Sequence, residues 1–304
     1  MTLLDAVRET IEIGEKTGAR AVASHLKAKG ANYWGSSAAA VSLIERARER
    51  GVDIWSDQYP YPTSGTDGST VLIPAWATAT ATTAGAGRGA TGATGAAGGA
   101  PSCAEALRRT LADTLLARKL RSDVAHEIAR RGGAPNVVVY DYTDRSLYGQ
   151  SLAQIATRWG VEPVEAAIRI QLEGLPNRPG GARMRGFSMS ELDMEHIARQ
   201  PWVATSTDGG IALPSDGPAT HARYYGSFTR KIRHYALDRG VISLEAAIRS
   251  STSLPAQIMR LTDRGQVREG GSPPTWSSST WRPCATRPPS SSRTSTPRES
   301  TTSS

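Results

Sequence analysis

The amino-acid sequence predicts an α/β fold built on a parallel sheet. Short apolar runs alternate with amphipathic helical stretches near the amino terminus, short connections join them, and the first run stops at His25-Leu26-Lys27 with glycine close behind. Taken in order, residues 3–18 form a helix with Leu4, Val7 and Ile11 on one face, and Gly18 ends it. Ala21-Val22-Ala23 is a short strand leading into Ser24-His25. Residues 37–50 form a second helix stopped by Gly51, and 52–55 form the next strand.

The stretch 77–102 breaks this pattern, being almost wholly Ala, Thr and Gly. With no Val, Ile, Leu or aromatic residue it cannot supply core. Its Gly87-Arg88-Gly89-Ala90-Thr91-Gly92 fits G-x-G-x-x-G by letter only, because no strand precedes it and no helix follows closely. Order resumes with a helix over 103–131, a strand over 136–140 and helices near 151–159, 162–173 and 190–200. A strand over 202–205 then runs into Ser206-Thr207-Asp208-Gly209-Gly210, and helices follow over 227–239 and 243–251. Beyond Val267 there is no Val, Ile, Leu, Met or Phe, so that tail cannot fold on its own. The expected organisation is therefore 1–76 and 103–270 as α/β units, 77–102 as a low-complexity segment, and 271–304 as a disordered tail.

Composition narrows the function classes. Only 38% of the 304 residues are hydrophobic and two are Phe, which is low for a chain of this size and agrees with stretches that do not pack. The net charge of +8 invites a nucleic-acid reading, but four arginines against one glutamate lie in residues 272–304, and the rest is spread over helix faces. No nucleic-acid partner is expected. No apolar run approaches 18 residues, so no membrane span is expected. The amino terminus has no signal-peptide pattern. Cys103 and Cys284 make neither a disulfide framework nor a metal-site spacing, and a cytoplasmic location is expected.

The residues that carry chemistry cluster at strand ends. His25 closes the first strand, where the carboxyl edge of a parallel sheet presents side chains. The next strand ends at Asp57-Gln58-Tyr59-Pro60-Tyr61, with Thr63 and Ser64 behind it; two phenols and a serine there suit hydrogen bonding to a substrate. Asp208 follows a later strand between small residues, where it serves either as a turn former or as a proton carrier in hydrolysis. His221, Arg223 and Tyr225 lie in Thr220-His221-Ala222-Arg223-Tyr224-Tyr225-Gly226, and a guanidinium suits a substrate carboxylate. His126, His196 and His234 fall inside amphipathic helices and read as surface or packing residues.

The order of these stretches is more specific than any one of them. SHLKAKGANYWGSS, SDQYPYPTSGTDGSTVLIPAW, GFSMSELDMEHIARQPWVATSTDGG and THARYYGSFTRKIRHYALDRGVISLEAAIRS together resemble the D-aminoacylase family, the N-acyl-D-amino-acid deacylases of the amidohydrolase superfamily. The resemblance covers residues 3–76 and about 104–270. It implies a zinc-dependent (β/α)8 barrel beside a small β-sandwich, of which this chain carries strands 6–8 with their helices, the sandwich being missing or scrambled. It implies further that His25 is a metal ligand and Asp208 the catalytic aspartate. Lys27, Tyr59, Tyr61, Ser64 and Arg223 would line the substrate, with Lys27 pairing with its carboxylate. Ala222 departs from the proline of the family's His-Pro-Arg-x-Tyr-Gly stretch, and Thr207 from its Gly-Ser-Asp-Gly.

The same resemblance implies that the remaining metal ligands belong to strands 1–5, which precede the matched part, so a separately encoded N-terminal half is a candidate partner. The small-molecule partner it implies is an N-acyl-D-amino acid, hydrolysed to a carboxylate and a D-amino acid. Residues 274–281, Pro-Thr-Trp-Ser-Ser-Ser-Thr-Trp, correspond to an out-of-phase reading of a sandwich strand, so a frameshift near Gly271 is expected. Two readings stay open: a deacylase, and a non-catalytic remnant of a deacylase gene, since one histidine and one aspartate are too few for a tight zinc site.

Overall fold

The computed structural model describes residues 2–64, 70–78, 101–213, 220–267 and 269. The tail from 271 and nearly all of the Ala/Thr/Gly stretch lie outside them, as do the expectations made for those segments. Ala77 and Thr78, expected to begin the coreless stretch, are instead buried at the end of a short helix.

Helix α1 (Leu3–Thr17) begins at Thr2, whose hydroxyl accepts the Asp5 N–H while the Asp5 carboxylate accepts the Thr2 N–H. This reciprocal cap satisfies two orphan donors of the first turn. The helix ends at Gly18, with φ of 66°, a left-handed stop that glycine adopts without strain. Strand β1 (Ala21–Ala23), helix α2 (Ser37–Glu49) and strand β2 (Ile54–Gln58) then form a parallel crossover unit, with Ala21 opposite Ile54 and Ala23 opposite Ser56. The second strand starts later and runs further than the apolar letters suggest. The Val52 N–H bonds back to Ala47, whereas polar Ser56, Asp57 and Gln58 pair with a strand on the far side.

After the short helix α3 (Ala75–Thr78), the long helix expected over 103–131 is two: α4 (Cys103–Ala112) and α5 (Thr114–Arg130). Asp113 divides them, its carboxylate accepting the N–H groups of Leu115 and Leu116 at 2.8 and 3.0 Å and capping α5. Strand β3 (Val137–Asp141), helices α6 (Leu152–Trp159) and α7 (Pro163–Glu173) and strand β4 (Arg183–Gly186) follow. β3 and β4 pair antiparallel, as a two-stranded sheet separate from the parallel one. Helix α8 (Glu191–Ala198) leads to β5 (Val203–Thr205), which completes a parallel sheet of order β1-β2-β5. Helix α9 (Arg223–Arg230) continues into a π-helical segment (Lys231–Asp238), and α10 (Leu244–Ser251) and α11 (Ser253–Ile258) close the described part.

The core falls into two clusters. One joins the parallel sheet to α1, α2 and α11 through Val7, Ile44, Ile54, Val203 and Leu254. The other joins β3 and β4 to α4–α7 through Leu107, Leu120, Val139, Ile155 and Ile170. Tyr59, Met189 and Met194 form a smaller cluster with Tyr61 against it. The expected α/β class and the parallel sheet are present. Among the described residues the strands do not close into a barrel.

Candidate active site

Because β1, β2 and β5 are parallel, their carboxyl ends lie along one edge, and the residues expected to be functional gather there. His25 follows β1 and Asp208 follows β5. Both are exposed, and both have φ of 45°, left-handed backbone that residues with a Cβ rarely adopt. Asp57 in β2 links them. Its Oδ1 accepts the His25 N–H at 2.7 Å and the Ser206 hydroxyl at 2.9 Å, and its Oδ2 accepts the Ser24 hydroxyl at 3.0 Å.

Two cations reach the same edge. Lys27 Nζ donates to the His25 carbonyl at 2.7 Å, and the Arg223 guanidinium donates to Asp208 Oδ2 at 2.8 Å. Arg223 is 3% exposed and Asp208 32%, so this ion pair is half screened from water. Each cation also lies over the Tyr59 ring, at 4.9 Å for Lys27 and 4.8 Å for Arg223. Burial pushes the Lys27 ammonium down to about 7, with Lys29 and Arg223 adding to the push and Asp208 opposing it. Burial also pushes the Tyr59 phenol up to about 12.

Behind this edge lies His221, which is 1% exposed. Its Nδ1 accepts the Arg223 N–H at 3.0 Å, so Nε2 carries the proton and donates it to the Thr63 carbonyl at 3.1 Å. Burial, with Arg185 nearby, pushes its pKa down to about 3, and the ring is neutral. Both Tyr59 and Tyr61 meet it edge-on. Tyr61 runs under α9, where a Cβ on Gly226 would sit 2.3 Å from its hydroxyl, so a larger residue at 226 would have to displace the tyrosine hydroxyl. Ser64 is buried in an antiparallel bridge with Gly186.

His25, Lys27, Tyr59, Asp208 and Arg223 are thus brought together, with Tyr61 beside them through His221, whereas Ser64 lies against β4. Sequence reasoning missed the role of Asp57 and the burial of His221. For Asp57 a signal existed, since a carboxylate at a polar strand end beside Ser24-His25 is one neighbouring strand away from it. For His221 no local signal distinguishes a buried ring from a loop one. His126 is exposed and His196 half-buried, as expected, while His234 meets Glu191 at 3.2 Å.

The donor set does not fit a zinc ion on its own. Among the described residues no three His, Cys, Asp or Glu side chains converge, Asp57 is engaged by three donors, and Asp208 is held by Arg223. Zinc sites require three or four protein ligands.

These features define an α/β protein with a polar site at the carboxyl ends of its parallel strands. No family model matches the chain. It is 32% identical over 265 residues to the N-acyl-D-glutamate deacylase of Alcaligenes xylosoxydans xylosoxydans, covering 87% of this chain and 40% of that one. To the D-aminoacylase of the same organism it is 26% identical over 268 residues, covering 88% and 41%. The crystal structure of N-acyl-D-glutamate deacylase from Bordetella bronchiseptica, complexed with zinc and a phosphonate inhibitor, aligns with a TM-score of 0.55 and 26% identity, over 88% of this chain and 42% of that one. A D-aminoacylase crystal structure at 22% identity aligns with a TM-score of 0.53 over the same shares. The chain belongs to the D-aminoacylase (N-acyl-D-amino-acid deacylase) family, and it spans about 40% of the length of these relatives.

Proposed function

We propose that this chain carries the substrate-carboxylate and proton-transfer side of an N-acyl-D-amino-acid deacylase site, and not a complete metal side. The observation that supports the reading is the pairing of His25 and Asp208 in left-handed backbone at one sheet edge, with Lys27 and Arg223 beside them. In it, Lys27 and Arg223 bind the carboxylate of an N-acyl-D-amino acid by charge-assisted hydrogen bonds. Asp208 accepts a proton from water at its free carboxylate oxygen and returns it to the leaving nitrogen. Tyr59 and Tyr61 are the candidate walls of the substrate site, whereas Ser64, buried against β4, is not. His25 is one imidazole toward the zinc that the family resemblance implies. Because the described donors do not complete a zinc site, the residues here bind and orient substrate, and turnover by this chain alone is not expected.

Binding is the direct test. Calorimetric titration with N-acetyl-D-amino acids is expected to show association with the D enantiomer and weaker association with the L. Lys27→Met is expected to weaken it about tenfold or more, the loss of one charge-assisted contact of roughly 1.5–3 kcal/mol. Equal binding of both enantiomers, or an unaffected Lys27→Met variant, defeats the reading. One observation favours the second reading, a non-catalytic remnant: the incomplete donor set. Release of a D-amino acid by the zinc-supplemented chain, abolished in Asp208→Asn, would exclude it.

A further inference from the structure

We infer that Asp57 is a positioning residue that sets the backbone of His25 and of the Ser206–Asp208 turn from the strand between them. The inference rests on the functional reading above for the purpose of that positioning, though not for its geometry. Asp57 lies in the central strand of β1-β2-β5, and each of its three hydrogen bonds crosses to a neighbouring strand end: to Ser24 and the His25 amide on one side, to Ser206 on the other. Main-chain bonds frame the same link, since the Leu26 N–H reaches the Asp57 carbonyl at 2.9 Å and the Ser206 N–H reaches the Gln58 carbonyl at 3.0 Å.

His25 sits between those frames in left-handed backbone, its amide held by Asp57 and its carbonyl by Lys27. A conformation that L residues avoid persists only where its surroundings over-determine it. A carboxylate taking the amide and an ammonium taking the carbonyl do that. On the other side, Asp57 holds Ser206 while Arg223 holds Asp208, so the turn carrying the candidate proton carrier is gripped at both ends. Three donors from two strands converge on this side chain, and Oδ1, which takes both the His25 amide and the Ser206 hydroxyl, has acceptor sites enough for the two.

The test uses the intact chain labelled with 15N-histidine. Its five histidines give five backbone amide signals, with His25 assigned by its loss in His25→Gln. Asp57→Ala is expected to speed hydrogen exchange at the His25 amide about tenfold or more, the weight of a hydrogen bond to a charged group. The amides of His126 in α5 and His196 in α8 are expected to keep their rates. Asp57→Asn retains an oxygen acceptor for His25 and Ser206 and can donate to the Ser24 hydroxyl, so it is expected to restore His25 to within about threefold. An unchanged His25 rate in Asp57→Ala, an equal acceleration at His126 and His196, or no rescue by Asn overturns the inference. Failure of N-acyl-D-amino-acid binding leaves these exchange rates untouched and removes only the functional reading.

Discussion

At the scale of single residues, the site depends on burying groups that prefer water. His221 shows how. Its neutral ring bridges the Thr63 carbonyl and the Arg223 amide, and its pKa lies near 3 rather than the ordinary 6.5 because burial disfavours the charged ring. The unfolded chain takes up a proton on this ring as pH falls below about 6.5, whereas the folded chain does not until about 3. The stability linked to His221 is therefore complete above about 6.5 and is lost progressively as pH falls toward 3. His221→Gln is expected to cost about 1–3 kcal/mol at pH 7, since two buried main-chain groups lose a well-placed partner. It is also expected to flatten the decline in stability between pH 7 and pH 4 in urea titrations. A variant as acid-sensitive as the parent would show that another group carries the effect. Histidine identity and position are plain in the sequence; the burial that silences this one comes from Tyr59 and Tyr61, more than 150 residues away in the chain.

Among the elements, capping decides boundaries that hydrophobic periodicity blurs. Residues 103–131 carry one continuous helical pattern, yet the chain turns at Asp113, where φ of −92° and ψ of 121° are extended. Removing the side chain in Asp113→Ala is expected to lower stability by about 1 kcal/mol, because two N–H groups at the start of α5 lose their acceptor. Thermal unfolding followed by circular dichroism measures this, and no change would mean that water replaces the cap without cost. Strand β4 is the element least visible in sequence. Arg183-Met184-Arg185-Gly186 has two cations in four residues, and it is a strand because it pairs with β3 while Arg185, 3% exposed, lies over the Tyr140 ring at 5.1 Å. A similar override extends α9: the expected helix over 227–239 begins earlier, at Arg223, and passes into the π-helical segment.

For the whole molecule, the parallel sheet is the weak point. Among the described strands β1 and β5 each pair on one side only, and Val22 in the middle of β1 is 38% exposed. Unpaired strand edges with apolar side chains template association. Sedimentation velocity on this chain is expected to show concentration-dependent association, and Val22→Lys is expected to reduce it. A monodisperse monomer at all concentrations would show that the edges are covered. Within the described residues no helix is long and apolar enough to cross a membrane.

The sequence by itself determined the local items: α1 with its glycine stop, β1, α2, and the placing of His25 and Asp208 just beyond strands. Each follows from apolar periodicity and turn chemistry within a few residues. Only the tertiary structure decided that β2 lies between β1 and β5, so that one carboxylate at Asp57 reaches Ser24, His25 and Ser206. It also decided that Lys27 and Arg223 converge on Tyr59. Those outcomes depend on pairing between segments up to 164 residues apart, where the energy lies in burial and in hydrogen bonds between distant groups, and no local pattern of letters records it.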